Sequence, residues 1–106
     1  MEQGLIDVAN NVIKKASESY SESVKKEDYS EANSRQRYLY GLKDCLEHFV
    51  HNRNIKKGLD CANLNLGGYI RESRWGNAAY WEAYVNGFKV MRIVVEDEED
   101  SEVLNL

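Results

Sequence analysis

The chain has 106 residues, of which 42% are hydrophobic and 30% charged, with no proline and a formal net charge of −4. That length suffices for one domain with one core and is too short for two, and the composition is that of a globular protein rather than a disordered or fibrous one. No apolar run is long enough to cross a membrane, the opening MEQGLIDVANN lacks the basic start and apolar block of a secretory signal, and two cysteines are too few for a disulfide scaffold, so the expectation is a cytoplasmic protein with reduced thiols.

The first segment runs from about Gln3 to Lys26. Leu5, Val8, Ala9, Val12, Ile13 and Ala16 recur at helical spacing and make one apolar stripe, which Tyr20 and Val24 extend. The stretch Ser17 to Ser23 is a weak helix former, because serine competes for backbone hydrogen bonds. Lys25 and Lys26 suit the negative end of the helix dipole.

Asp28 followed by Glu31 reads as a capping box opening a second helix, Tyr29 to about Asn52. Tyr38, Leu39, Leu42, Cys45, Leu46, Phe49 and Val50 follow its i, i+3, i+4, i+7 rule. Gly41 inside it costs up to about 1 kcal/mol relative to alanine, and a close approach to another backbone would account for it. The two helices are expected to form an antiparallel hairpin. One long broken helix is the rival, since nothing between Lys26 and Tyr29 forces a turn. Beyond Asn52, Ile55 and Leu59 suggest a short linking helix, interrupted by Gly58 and the NLNLGG stretch ending at Gly68.

Tyr69 to Trp75, YIRESRW, reads as a strand, with Trp75-Gly76-Asn77 as the turn that follows. In Ala79 to Glu96, Asn86-Gly87 separates two runs rich in aromatic and β-branched residues, the pattern of a type I′ hairpin. A two-residue turn then sets Val85, Ala83, Trp81 and Ala79 opposite Phe88, Val90, Arg92 and Val94 on an inward face, with Arg92 resting on the Trp81 indole. Tyr80, Glu82, Tyr84, Met91 and Ile93 fall on the outward face. The predicted architecture is α+β: an N-terminal helical hairpin plus short linking helix packed on a three-stranded antiparallel β-meander. Residues 1–95 form the domain and 96–106 an acidic C-terminal tail, whose Val103, Leu104 and Leu106 either dock as a last apolar patch or remain loose.

Few residues point to chemistry. Cys45, His48 and His51 recur every third residue with Cys61 beyond, but steps of three turn about 300° around a helix, so Cys45 and His51 diverge by about 120°. Gly67-Gly68 lacks the lysine and helix of a phosphate loop. The sequence implies no metal, no cofactor and no catalytic set. Lys14-Lys15, Lys25-Lys26, Arg35, Arg37, Arg53, Lys56-Lys57, Arg71 and Arg74 would follow a phosphate backbone if folding gathered them, with Tyr80 and Tyr84 stacking bases. Six of the eighteen acids lie in EDEEDSE, residues 96–102, leaving a faintly basic body.

The resulting expectation is a small non-enzymatic protein-binding module. Its partner surface is Tyr80, Glu82, Tyr84, Met91 and Ile93, continued by Glu96, Asp97, Glu98, Glu99 and Asp100. Clustered carboxylates can imitate a phosphate chain, so the specific form is an inhibitor covering a basic, nucleic-acid-binding site on its target. The alternatives are a small nucleic-acid-binding regulator whose acidic tail masks its own basic surface, and a homodimeric accessory subunit. In size, acidity and lack of an enzyme motif the chain resembles the small acidic inhibitors that phages and other mobile elements use against host nucleases or other nucleic-acid machinery. That resemblance implies no particular site residue.

Overall fold

A computed structural model of the chain describes residues 2 to 96. They form four α-helices: α1 (Glu2–Lys25), α2 (Tyr29–Val50), α3 (Ile55–Arg71) and α4 (Trp75–Glu96). Among the described residues there is no strand, so the α+β expectation is corrected to an all-helical bundle. No helix among them is long and apolar enough to cross a membrane.

The α1–α2 hairpin forms as two helices. The Glu31 backbone N–H donates to Asp28 Oδ1 at 3.2 Å, which caps α2. The reciprocal half of the capping box is replaced, because the Glu31 carboxylate accepts from Arg35 Nε at 3.0 Å. Asn54 caps α3 in the same way, accepting from the Lys57 N–H at 3.0 Å.

One device ends α1, α2 and α3. Glu27, Asn52 and Ser73 each take a left-handed backbone, with φ of 58°, 55° and 56°. Each N–H returns to the carbonyl three residues back, and the next N–H to the carbonyl five back: Glu27 to Val24 with Asp28 to Ser23, Asn52 to Phe49 with Arg53 to His48, Ser73 to Ile70 with Arg74 to Tyr69. This is the Schellman motif, which satisfies the orphaned last carbonyls and reverses the chain at once. Three short connections of this kind give an up-and-down order.

α2 and α4 share the largest interface, with α1 laid chiefly on α2 and α3 on α4. The core is Leu39, Leu42 and Cys45 of α2 against Ala78, Val85, Phe88, Met91 and Val95 of α4, closed by Ile55, Leu59 and Ala62 of α3 and Ala9 of α1. Phe88, Leu42, Met91 and Cys45 are its largest fully buried side chains.

The expected meander dissolves into this arrangement. Tyr69 to Trp75 contains the last turn of α3, the Ser73 reversal and the first residue of α4. Asn86-Gly87 lies mid-helix, and Gly87 has no positive φ. Its value is steric: a Cβ there would overlap the Tyr38 carbonyl oxygen and lie 3.1 Å from Leu42 N. Gly41 answers it across the interface, where a Cβ would overlap the Tyr84 carbonyl oxygen and lie 2.8 Å from Phe88 N. The two backbones touch at this crossing, as Gly41 led us to expect. The Trp81–Arg92 pairing is also corrected. Eleven residues of helix separate the two by about 16 Å, and Arg92 Nε pairs with Glu96 Oε2 at 2.9 Å.

Candidate functional site

The N-terminal half of α4 carries a second stripe beside its core stripe. Tyr80 and Tyr84, one turn apart, lie on one face, with Trp81 at its edge. α2 presents Arg37, Tyr40 and Asp44 at i, i+3 and i+7, which places them along a single line. The reversal at Ser73 folds the end of α3 back on the start of α4 and brings Tyr69 onto Trp81. These elements enclose a cleft of about 700 Å³ lined by five aromatic residues together with Arg37, Asp44 and Asn77.

The rings support one another. Tyr69 stacks on Trp81 with centroids 6.5 Å apart, and Trp81 meets Tyr84 edge to face at 5.3 Å. Tyr84 continues into the core against Phe88 at 6.1 Å. The Arg74 guanidinium lies over the Tyr69 ring, 5.0 Å from its centroid. One wall of the cleft is therefore a packed extension of the core rather than a set of loose side chains.

At the inner wall the Tyr84 hydroxyl donates to Asp44 Oδ2 at 2.5 Å. Burial raises the Tyr84 phenol above its ordinary value, and the hydrogen bond to Asp44 and that carboxylate's charge raise it further. The phenol thus remains a donor, and one oxygen of Asp44 is committed to it. At the rim, Asn33 Nδ2 donates to the Tyr80 hydroxyl at 3.5 Å.

Arg37 lies at the mouth, its guanidinium carbon 6.0 Å from the ring centroids of both Tyr40 and Tyr80. Its neighbour Arg35 is engaged elsewhere, pairing with Glu31 at 3.0 Å and donating through Nη1 to the Ser19 carbonyl at 2.8 Å. Arg37 has no carboxylate within ion-pair distance among the described residues. The arrangement offers flat apolar faces, an inner hydrogen-bonded wall and one cationic fork at the entrance. Those are the means of binding.

Comparison with protein-family models, curated proteins and solved structures finds no match for this chain. The assignment of function therefore rests on the cleft itself.

Of the expected partner surface, Tyr80 and Tyr84 line the cleft. Met91 is fully buried in the core and offers no surface. Glu82 and Ile93 are exposed on another face of α4, because residues two apart on a helix diverge by about 200°. Glu96 ends α4, about 24 Å along the helix axis from Tyr80. Asp97, Glu98, Glu99 and Asp100 lie outside the described residues. The expected patch is thus not continuous: Tyr80 and Tyr84 line the cleft, while Glu82, Met91, Ile93 and Glu96 lie elsewhere on α4.

The sequence pattern puts Trp81 inward and Arg37 in a basic group, and gives Tyr40, Asp44 and Tyr69 no place in a site. The signal for the α2 part was Arg37, Tyr40 and Asp44 sharing one line beside the apolar stripe. The cysteine–histidine series is dispersed. Cys45 is buried, Cys61 exposed, and both are free thiols. His48 Nδ1 donates to the Asp44 carbonyl at 2.8 Å and sets its ring edge-on to Phe88, 5.5 Å between centroids. Among the described residues no three His, Cys, Asp or Glu side chains gather to hold a metal. Burial pushes the Cys45 thiol up to about 12, which leaves it a poor nucleophile.

Proposed function

We propose that the protein is a small, non-catalytic binding module that grips a partner protein through the cleft between α2 and the α3–α4 corner. One observation carries this reading: five aromatic residues and an arginine converge on one concavity of about 700 Å³. Tyrosine, tryptophan and arginine supply most of the energy at protein interfaces when clustered in a pocket, and the space is of the size that takes up inserted groups. The Tyr69–Trp81–Tyr84 wall is already packed, so little ordering entropy is lost on binding.

The more specific form is an inhibitor of a basic, nucleic-acid-binding partner. Here the cleft supplies the anchor and the acidic run from Glu96 onward supplies electrostatic attraction to the target. Free thiols at Cys45 and Cys61 suit the reducing cytoplasm in which we place the protein. A nucleic-acid reading has one observation in its favour, since Arg37 beside Tyr40 and Tyr80 is a combination that stacks bases. Against it, the body is only faintly basic, and the six acids of residues 96–102 would compete for its basic groups.

The test is capture from native lysate with wild type, with Tyr80→Ser and with a chain truncated after Glu96, at low and at high salt. Loss of a partner with folded Tyr80→Ser at both salts supports the cleft as anchor. Capture that depends on residues 97–106 and disappears at high salt supports the electrostatic role of the tail. Undiminished capture by Tyr80→Ser refutes the cleft.

A further inference from the structure

The cleft has a chemical polarity that defines what enters it. Asp44, the acid that lines it, is held by the Tyr84 hydroxyl at 2.5 Å. Arg37, the base that lines it, sits at the mouth between Tyr40 and Tyr80, with no carboxylate in reach among the described residues. A guanidinium presents five donors in a planar fork shaped for a carboxylate. Its two ring contacts hold that fork at the entrance and leave its edge for an incoming acceptor.

The Tyr84 hydrogen bond leaves Asp44 its charge but ties that carboxylate to the inner wall, whereas at the exposed mouth a cationic ligand would have to displace Arg37 or lie beside it, against Coulomb repulsion. An anionic group meets the opposite situation. Glu96, about 24 Å along the helix from Tyr80, some three Debye lengths at physiological salt, and paired with Arg92, does little to repel an anion at the mouth. Behind Arg37, the rings of Trp81 and Tyr84 offer an apolar, aromatic-lined interior to whatever flat group adjoins the anion.

We propose that the cleft binds an acidic, aromatic-bearing peptide segment of the partner protein, with a carboxylate paired to Arg37 and an aromatic side chain inserted against Trp81 and Tyr84. This rests on the protein-binding reading of the cleft and adds to it the chemistry of the segment. Which surface the acidic run engages is a separate matter.

The experiment titrates the full-length protein with four probes and follows tryptophan indole and backbone amide resonances. The probes are a blocked hexapeptide of sequence Gly-Glu-Phe-Glu-Phe-Gly, its versions with glutamine or lysine in place of both glutamates, and adenosine 5′-monophosphate. The expected result is that the acidic peptide shifts the Trp81 indole and binds at least tenfold more tightly than the lysine peptide, with the glutamine peptide between them. Arg37→Gln, at an exposed position, is expected to remove that preference and Arg37→Lys to retain part of it. Tyr40→Ser, also exposed, is expected to weaken the acidic peptide without unfolding the bundle.

Tighter binding of the lysine peptide, or tighter binding of the acidic peptide by Arg37→Gln, overturns the proposal. So does stronger binding of the mononucleotide than of any peptide, or the absence of a shift at Trp81 with every peptide. If all three peptides bind alike, Tyr40→Ser weakens each of them and Arg37→Gln changes none, the charge preference is refuted while the cleft stands as the protein-binding site. If partner capture is indifferent to Tyr80→Ser, the protein-binding reading itself falls.

Discussion

The crossing of α2 and α4 can be tested by adding a single carbon. A Cβ on Gly41 would overlap the Tyr84 carbonyl oxygen and stand 2.8 Å from Phe88 N; a Cβ on Gly87 would overlap the Tyr38 carbonyl oxygen and stand 3.1 Å from Leu42 N. The opposing atoms are helix backbone and cannot swing aside as a side chain would. Relief requires the helices to part by roughly 1 Å, enough to forfeit a quarter to a half of the dispersion energy at each contact in that zone. Overpacking of a core costs about 1–3 kcal/mol, and a backbone clash belongs at or above the upper end. Helix propensity opposes this, since alanine gains up to about 1 kcal/mol over glycine. The net expectation is that Gly41→Ala or Gly87→Ala destabilises by about 2 kcal/mol or more, a fall in Tm of roughly 8–16 °C for a domain of this size. Gly76→Ala is the matched control, because a Cβ there meets nothing within 4 Å. It should be neutral or stabilising by a few tenths of a kcal/mol to about 1 kcal/mol. Urea unfolding followed by helical circular dichroism supplies the readout, with a lower midpoint at unchanged slope marking lost stability. If Gly41→Ala gains as much as Gly76→Ala, the backbones do not meet as described and the bundle is assembled differently.

Other consequences are equally direct. Glu27 and Ser73 occupy left-handed positions that glycine adopts without steric cost, so Glu27→Gly and Ser73→Gly should each stabilise by about 0.5–1 kcal/mol, measured by the same unfolding assay. Burial raises the Cys45 thiol to about 12 and also raises the Tyr84 phenol. Ordinary values for the unfolded chain are about 8.5 and 10. The folded state therefore holds these protons more tightly, and stability should be full below about pH 8. It should then fall as pH rises, by about 1.4 kcal/mol per pH unit for each group within its interval; a flat stability curve from pH 9 to 11 would contradict the burial. Native protein treated with a thiol reagent at neutral pH should react at Cys61, with Cys45 modified only after unfolding. A double-mutant cycle on Asp44→Asn and Tyr84→Phe should return a coupling of about 1.5–3 kcal/mol, the worth of a hydrogen bond to a charged group.

The helical half of the fold was legible in the sequence because its signals were redundant. In α2 the apolar spacing and the Asp28 cap agree, and Gly41, unfavourable in a helix by itself, already points to a close backbone approach. The α4 segment failed because two periods fitted it. Ala78, Trp81, Val85, Phe88, Met91 and Val95 repeat every three or four residues, and they are the core stripe apart from the half-buried Trp81. The same stretch also alternates passably, and Asn86-Gly87 tipped the choice toward a hairpin. Glycine is the local mark of a turn, whereas the chain reverses at Glu27, Asn52 and Ser73, which carry no such mark. The glycines at 41 and 87 serve contact between backbones, a demand set by a distant segment and invisible within any local window.

The same ambiguity explains which parts of the site could be foreseen. Positions four apart coincide in both patterns: two full alternations of a strand, or slightly more than one turn of a helix. Tyr80 and Tyr84 differ by four, so they share a face whichever period is chosen, and they line the cleft together. Glu82 and Tyr80 differ by two, in phase on a strand and roughly opposed on a helix, so the wrong period necessarily misplaced Glu82. Met91 lies seven beyond Tyr84, two helical turns, and the correct period carries it along the same side of α4 down into the core. Arg37, Tyr40 and Asp44 share one line of α2 by spacing alone, but that line becomes a cleft wall only because α2 faces α4, and Tyr69 joins them only through the reversal at Ser73. A binding site assembled across three helices leaves in each a fragment that is ordinary by itself. Its meaning arises from the crossing at Gly41 and Gly87, which determines what those fragments face.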